Sequence, residues 1–244
     1  MANRYRVLLL TLFAAPLCIV ALAFLFFEIN LVGTDPNPNR FKDLIAEFEL
    51  EDSDIETQDA SVIFVGSSSI RGWKIRESFP EIPALNRGMG GAELSDLIFF
   101  LDETVLKYDP KIVVVYAGEN DVAGGKSPKT VLDDYHFFVD KITDRLAEVA
   151  IVYISIKPTP SKWKHWPKMR QANELVRAYS ELNPNLHFVD IGEKMLGETN
   201  KVQDHLYAND GIHLSESGYQ MWTENLRELL QLLYLEAISH QEGE

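Results

Sequence analysis

The clearest hydrophobic pattern in the chain is an uncharged stretch from Val7 to Phe27. Its length of about 20 residues matches one helical crossing of the hydrocarbon layer of a membrane. Arg4 and Arg6 precede the stretch, so the positive-inside rule predicts a cytoplasmic N-terminus and export of the rest of the chain, to a periplasmic or extracellular location. We therefore predict one N-terminal transmembrane helix, a signal-anchor over residues 1–31. The alternative is a cleavable signal peptide and a secreted protein, because both begin with a basic segment before an apolar one.

After this segment, short apolar runs alternate with helical patterns. We predict a linker and a short helix over residues 32–59, with a solvated acidic connection from Glu49 to Asp59, and a folded domain over residues 60–240. The apolar runs have the length of strands that are buried on both faces. The strands predicted in this way are Val62–Val65, Ala84–Asn86, Ile112–Tyr116, Ala150–Ile156 and Leu186–Val189. The helices predicted between and after them include Glu93–Leu106, Pro128–Glu148, Pro167–Asn183 and Glu216–Ile238. This alternation indicates a three-layer α/β/α fold with a doubly wound, parallel, five-stranded sheet.

Charge and cysteine content exclude several classes of site. A formal net charge of -14 argues against nucleic acid as a partner, because phosphate contacts need a basic face. The single cysteine, Cys18, excludes an intramolecular disulfide and a cysteine-based zinc site. A metal-dependent hydrolase would have to use Asp204, His205, Asp210 and His213, whose spacing matches no established zinc pattern. We expect no metal and no cofactor.

Four polar turns carry the candidate chemistry. Three of them follow predicted strands: the turn at Ser68, the glycine-rich turn Gly88–Gly91 and the turn Gly118–Asp121. The carboxyl ends of parallel strands meet at one edge of a sheet, where open α/β folds bind their ligands. The fourth turn, Asp210–His213, precedes the last predicted helix. We expect all four turns to converge.

The residue types in these turns fit acyl transfer through a serine. That reaction needs a nucleophile, a base for its proton, a group that orients the base and donors for the oxyanion. Ser68 is the candidate nucleophile, His213 the base and Asp210 the orienting group. The backbone N–H groups of Ser68 and Gly91 and the side-chain amide of Asn120 are candidate oxyanion donors.

Each of these turns also has a purely structural interpretation. The serines can cap a helix, and the glycines can serve only tight packing. Asn120 and Asp121 can form an Asx-turn, and His213 can be a core histidine. The order and placement of all four turns together favour catalysis.

The turns resemble the four sequence blocks that name the SGNH/GDSL hydrolases. The matching segments are Gly66–Ile70, Asn86–Gly91, Gly118–Asp121 and Asp210–His213. The resemblance covers about residues 60–235 and implies a flavodoxin-like sheet and serine esterase chemistry without a metal. It assigns Ser68, Asp210 and His213 to a catalytic triad, and Ser68, Gly91 and Asn120 to an oxyanion hole. One position differs, since Ser67 stands where the family commonly has aspartate.

These observations predict a membrane-anchored carboxylic ester hydrolase. The expected substrate is a short acyl or acetyl ester on an envelope glycan or lipid. Arg71 and Arg87 follow site turns, and Trp163 and Trp166 lie in a basic loop, so these four are candidate substrate contacts. Ion pairing is the alternative for the arginines, and core packing is the alternative for the tryptophans. The second functional hypothesis is a non-catalytic or acyl-transferring module on the same fold that binds acylated glycan.

Overall fold

The computed structural model describes residues 38–54 and 61–241. The predicted anchor over residues 1–31 lies outside the described residues, as does part of the predicted linker. Within the described ranges, no helix combines the length and the apolar character needed to cross a membrane.

A parallel five-stranded sheet forms the centre of the domain. Its strands are β1 (Val62–Gly66), β2 (Ala84–Gly88), β3 (Ile112–Tyr116), β4 (Ala150–Ile154) and β5 (Leu186–Val189). Their spatial order is β2-β1-β3-β4-β5, the flavodoxin-like order of a doubly wound sheet. The predicted fold class is confirmed for this part of the chain.

Helices cover both faces of the sheet. In the described residues the α-helices are α1 (Lys42–Asp54), α2 (Ser68–Arg71), α3 (Ile75–Ser78), α4 (Leu94–Phe99), α5 (Leu101–Thr104), α6 (Glu119–Gly124), α7 (Pro128–Thr143), α8 (Trp166–Ser180) and α9 (Glu216–Gln241). Short 3₁₀ helices lie at Pro38–Phe41, Leu106–Tyr108, Pro160–His165, Glu193–Met195 and Asp204–Leu206. The long helices α7 and α8 pack on one face, and α9 packs on the other.

Alternating strand residues build two separate cores. In β1, Ile63 and Val65 pack into the core under α1, α4, α5, α7 and α8. Val62 and Phe64 point to the opposite side, into the core under α2, α3 and α9. Every residue of β1 is buried, as expected for a central strand covered on both faces. The carboxyl ends of the strands remain available for a site at one edge.

Several element boundaries differ from the prediction for identifiable reasons. Helix α1 continues to Asp54 through the acidic stretch that we predicted to be a connection, because Glu51 and Asp52 pair with the buried Arg87. The predicted helix Glu93–Leu106 is broken at Phe100, where the backbone turns to φ -100° and ψ 23°. Strand β4 ends early, since the N–H of Ile156 donates to the Asn173 side chain.

Candidate active site

The first turn leaves one of three consecutive serines accessible. Strand β1 ends at Gly66, where a side chain could not fit because a Cβ atom would lie 2.1 Å from the Tyr116 carbonyl oxygen. Ser67 and Ser69 are buried, whereas Ser68, the first residue of α2, is partly exposed. The Ser67 side chain makes no capping hydrogen bond to α2, so helix capping does not describe its role. Ser68 therefore has the accessible hydroxyl.

The glycine-rich second turn packs directly against the first. The Met89 N–H donates to the Gly66 carbonyl at 2.7 Å. A Cβ atom on Gly88 would lie 2.2 Å from the Arg71 backbone nitrogen, so this close approach requires glycine. Gly91 is exposed and adopts φ +81°, a conformation that side chains rarely allow. The candidate oxyanion donor at Gly91 thus lies on a turn fixed against the segment that carries Ser68.

The third turn is tied to the second by two side chains. The Asn120 amide donates from Nδ2 to the Ala92 carbonyl at 3.0 Å. The buried carboxylate of Asp121 accepts hydrogen bonds from the Leu94 and Gly118 N–H groups, each at 3.0 Å. Asp121 therefore caps the start of α6 through the Gly118 N–H, in place of the Asx-turn considered from sequence, and also holds α4. Asn120 itself remains partly exposed.

The fourth turn forms a histidine–carboxylate pair. His213 Nδ1 lies 2.6 Å from Asp210 Oδ2, and Asp210 Oδ1 accepts hydrogen bonds from the Ile212 and His213 N–H groups. The hydrogen bond from the His213 ring, together with those backbone bonds, holds the pKa of the Asp210 carboxyl far below its usual value. The His213 side chain is 50% exposed, so it is not a core histidine.

The 3₁₀ helix Pro160–His165 ties the fourth turn to the third. The Ser161 hydroxyl donates to the Asp210 carbonyl at 2.7 Å, and the Ser161 N–H donates to the Gly211 carbonyl at 3.1 Å. The next residue, Lys162, donates to the Asn120 Oδ1 atom at 3.0 Å. The same short helix therefore contacts a candidate oxyanion residue and the turn that carries the candidate base.

A groove borders the other side of the fourth turn. It has a volume of about 800 Å³, and Gly72, Trp73, Leu214 and Tyr219 contribute to its lining. Leu214 directly follows His213, and the Gly72 N–H donates to the Ser68 carbonyl at 3.0 Å. The contacts on both sides bring the four turns to one edge of the sheet.

Within residues 38–54 and 61–241, no hydrogen bond joins the Ser68 hydroxyl to the His213 ring.

The four candidate substrate contacts divide into two exposed and two buried side chains. Arg71 is exposed, and its stem runs over Gly90. Trp163 is 42% exposed and stacks on Trp166, which is buried. Arg87 is also buried, where it pairs with Glu51 and Asp52 and donates to the Tyr108 hydroxyl. The structure thus places Arg87 and Trp166 in the interior and leaves Arg71 and Trp163 open to solvent.

The alternative metal site gains no support from the side-chain arrangement. Among residues 38–54 and 61–241, no three histidine, cysteine or acidic side chains are grouped so that they could hold a metal ion. This includes the combination of Asp204, His205, Asp210 and His213 that the sequence offered.

Sequence reasoning missed a buried ion cluster behind the third turn. The carboxylate of Glu119 contacts the ammonium of Lys157, lies 3.0 Å from the Lys162 ammonium and accepts a hydrogen bond from the Tyr116 hydroxyl at 2.8 Å. Burial alone would raise the pKa of Glu119, but the positive charges of Lys157 and Lys162 outweigh it and lower the pKa to about 2. The available signal was Lys157, a lysine directly after the predicted fourth strand, Ala150–Ile156.

Comparison with known proteins identifies the family of the chain. The sequence model of the GDSL-like lipase/acylhydrolase family matches residues 62–221. Human platelet-activating factor acetylhydrolase IB subunit alpha1 is 30% identical over 189 residues, which cover 73% of this chain and 78% of the relative.

Solved structures of low sequence identity share the fold. A GDSL-like lipase from Bacteroides thetaiotaomicron VPI-5482 has a TM-score of 0.65 at 20% identity, over 77% of this chain and 97% of that chain. An acetyl xylan esterase has a TM-score of 0.59 at 19% identity, over 69% and 98% of the two chains. From its sequence and its fold, the chain belongs to the GDSL-like lipase/acylhydrolase family and is a carboxylic ester hydrolase.

Proposed function

We propose that this protein hydrolyses acetyl or short acyl esters, with Ser68 as nucleophile, His213 as general base and Asp210 as the group that orients the base. The observation that carries the proposal is the Asp210–His213 pair, 2.6 Å apart and half exposed, at the sheet edge where Ser68 is accessible. This arrangement supplies a nucleophile, a base and an orienting carboxylate from distant parts of the chain.

In the first step the Ser68 hydroxyl oxygen attacks the ester carbonyl carbon. The Nε2 atom of His213 accepts the hydroxyl proton, because Nδ1 is engaged by Asp210. The carbonyl oxygen becomes an oxyanion, which the N–H groups of Ser68 and Gly91 and the Asn120 amide stabilise. Collapse of this intermediate breaks the ester bond. The alcohol leaves with the proton from His213, and the acyl group remains on Ser68.

Water completes the reaction in the second step. His213 accepts a proton from the water molecule as its oxygen attacks the acyl carbon. The second tetrahedral intermediate uses the same three oxyanion donors. Its collapse breaks the bond to Ser68 and returns the proton to the serine oxygen, so the free acid leaves and the enzyme is regenerated.

Two observations support a small acyl group as the part of the ester that is transferred to Ser68. The human relative is named an acetylhydrolase, and one structural neighbour is named an acetyl xylan esterase. The groove lined by Gly72, Trp73, Leu214 and Tyr219 offers space beside the site for a larger alcohol portion. We propose that this alcohol portion is a glycan or lipid of the cell envelope, which agrees with the apolar N-terminal sequence.

The direct test replaces the proposed nucleophile. Ser68→Ala should reduce kcat for 4-nitrophenyl acetate by at least about 10⁴-fold, because removal of a serine nucleophile eliminates the covalent route. The matched control is Ser217→Ala, which changes an exposed serine in the first turn of α9 whose side chain has no hydrogen bond within the described residues. Circular dichroism should show an unchanged fold for both. Turnover by Ser68→Ala at the wild-type rate would rule out the proposed mechanism.

A further inference from the structure

A lysine lies directly behind the candidate oxyanion hole, and the proposed mechanism does not use it. The Lys162 ammonium donates to Asn120 Oδ1 at 3.0 Å and lies 3.0 Å from Glu119 Oε1. Its side chain is 22% exposed, so the charge is largely shielded from water. A positive charge therefore contacts the oxygen of the amide whose NH₂ group is the proposed oxyanion donor.

The contacts of the Asn120 amide permit only one orientation of this group. The oxygen accepts from Lys162, and the nitrogen donates to the Ala92 carbonyl at 3.0 Å. A flipped amide would oppose two oxygens at Ala92 and two N–H donors at Lys162, and both contacts would be repulsive. The observed orientation directs the NH₂ end toward the second turn. Since NH₂ carries two hydrogens, one remains for the oxyanion after Ala92 takes the other.

The charge of Lys162 is not cancelled by its acidic neighbour. Glu119 is also in contact with Lys157, which is buried, so one carboxylate serves two ammonium groups. With both lysines protonated, the three groups together carry one net positive charge; burial lowers the pKa of the Lys157 ammonium, and the Glu119 carboxylate opposes this shift. A cation bonded to an amide oxygen draws electron density toward that oxygen, so the N–H groups of the same amide become stronger donors. Such a donor stabilises a developing oxyanion more than it stabilises a neutral carbonyl oxygen.

We infer that Lys162 is a positioning residue of the oxyanion hole, which fixes and polarises the Asn120 amide so that it stabilises the transition state of ester hydrolysis. This inference rests on the proposed function, because it takes Asn120 as an oxyanion donor. The family resemblance assigns only residues of the first three turns to the oxyanion hole. The inference adds Lys162, which lies in the loop after β4.

The first test removes the charge and the donor while it retains most of the side-chain volume. Lys162→Met should lower kcat for 4-nitrophenyl acetate by about 10- to 100-fold and leave KM within about two-fold, since the interaction strengthens only as charge develops. Lys162→Arg should recover part of the loss because the positive charge returns. The matched control is Lys168→Met, an exposed lysine in α8, which should keep wild-type kinetics.

The second test separates positioning from general stability. A trifluoromethyl ketone forms an oxyanion when a serine adds to it, so its inhibition constant should rise with Lys162→Met in parallel with the fall in kcat. In the Asn120→Ala background, Lys162→Met should cost less than about three-fold, because the lysine acts through the amide. If Lys162→Met does not fold, Lys162→Gln, which keeps a neutral donor, replaces it in each comparison.

The outcomes distinguish this inference from the proposed function. Wild-type kinetics for Lys162→Met would overturn the role of Lys162, and so would an undiminished effect of this variant in the Asn120→Ala background. If Ser68→Ala is inactive in the same experiments, the proposed mechanism still stands. Full activity of Ser68→Ala would overturn both.

Discussion

At the scale of single residues, Asp210 determines how His213 can act. Its Oδ2 atom holds the Nδ1 side of the ring, and its Oδ1 atom accepts two backbone N–H groups that fix the carboxylate. These hydrogen bonds lower the pKa of the carboxyl, so Asp210 stays ionised as the pH falls through the usual range for an aspartate. In the proposed mechanism, the Nε2 side of the ring therefore exchanges the proton with Ser68.

Asp210→Asn tests this assignment. An asparagine amide can present an N–H group to the ring and favour the wrong tautomer, so kcat should fall by about 10³- to 10⁴-fold while KM changes little. Steady-state kinetics with 4-nitrophenyl acetate measure both parameters. Asp204→Asn changes an exposed aspartate six residues earlier and should keep wild-type kinetics. A loss of less than ten-fold for Asp210→Asn would count against the orienting role.

The sequence shows which reactive side chains lie in or beside the turns. It does not show which of these side chains are buried and which are exposed. Ser68, Asp210 and His213 could be selected because the reaction needs those residue types in those turns. Arg71 and Arg87 looked equivalent in the sequence, yet Arg71 is exposed and Arg87 is buried. The difference arises from the ion pairs that α1 supplies to Arg87, and such a contact between distant segments leaves no local pattern.

At the scale of elements, the ion cluster behind the third turn connects α6 to the segment after β4. Glu119 lies in α6, and its partners Lys157 and Lys162 both follow β4. The pKa of Glu119 is lowered from 4.5 to about 2, so the folded state binds this proton less readily than the unfolded state. The cluster's contribution to stability is therefore fully present above pH 4.5 and is lost as the pH falls toward 2.

Urea unfolding at several pH values between 5 and 2.5 measures this contribution. The lowered pKa corresponds to roughly 3 kcal/mol of unfolding free energy in full, of which roughly 2 kcal/mol disappears between pH 5 and 2.5. The double variant Glu119→Gln, Lys157→Met removes both buried charges, so its stability should fall less steeply with acid by about this amount. Glu103→Gln, which carries no ion pair in the described residues, is the control. Equal slopes for wild type and double variant would contradict the role of the cluster.

The sequence located most elements but not the ends that depend on tertiary contacts. Strands β3 and β5 match their predicted bounds because each is a short, mostly apolar run that follows a polar residue and is followed closely by turn residues. The predicted end of α1 was wrong because its acidic last turn is typical of a solvated connection. In the structure, Asp52 of this turn pairs with the buried Arg87. The interruption at Phe100 was missed since the hydrophobic pattern continues through α4 and α5.

At the scale of the whole molecule, the parallel topology explains how residues 68 and 213 can serve one reaction. Three turns follow adjacent strands in the order β2-β1-β3, and the loop after β4 holds the fourth turn against them. Alternating strands and helices predicted this topology, because crossover connections put successive strands in parallel. The anchor over residues 1–31 stays a prediction from the apolar N-terminal sequence, as does an exported location.

The central claim is that the Ser68 hydroxyl is activated by the His213 imidazole, and covalent labelling tests it most directly. A fluorophosphonate should modify the purified protein once, and peptide mass spectrometry should locate the adduct on Ser68. His213→Ala should slow the labelling by more than about 100-fold, because the base that accepts the serine proton is gone. An adduct on another residue, or equal labelling rates for wild type and His213→Ala, would contradict the account.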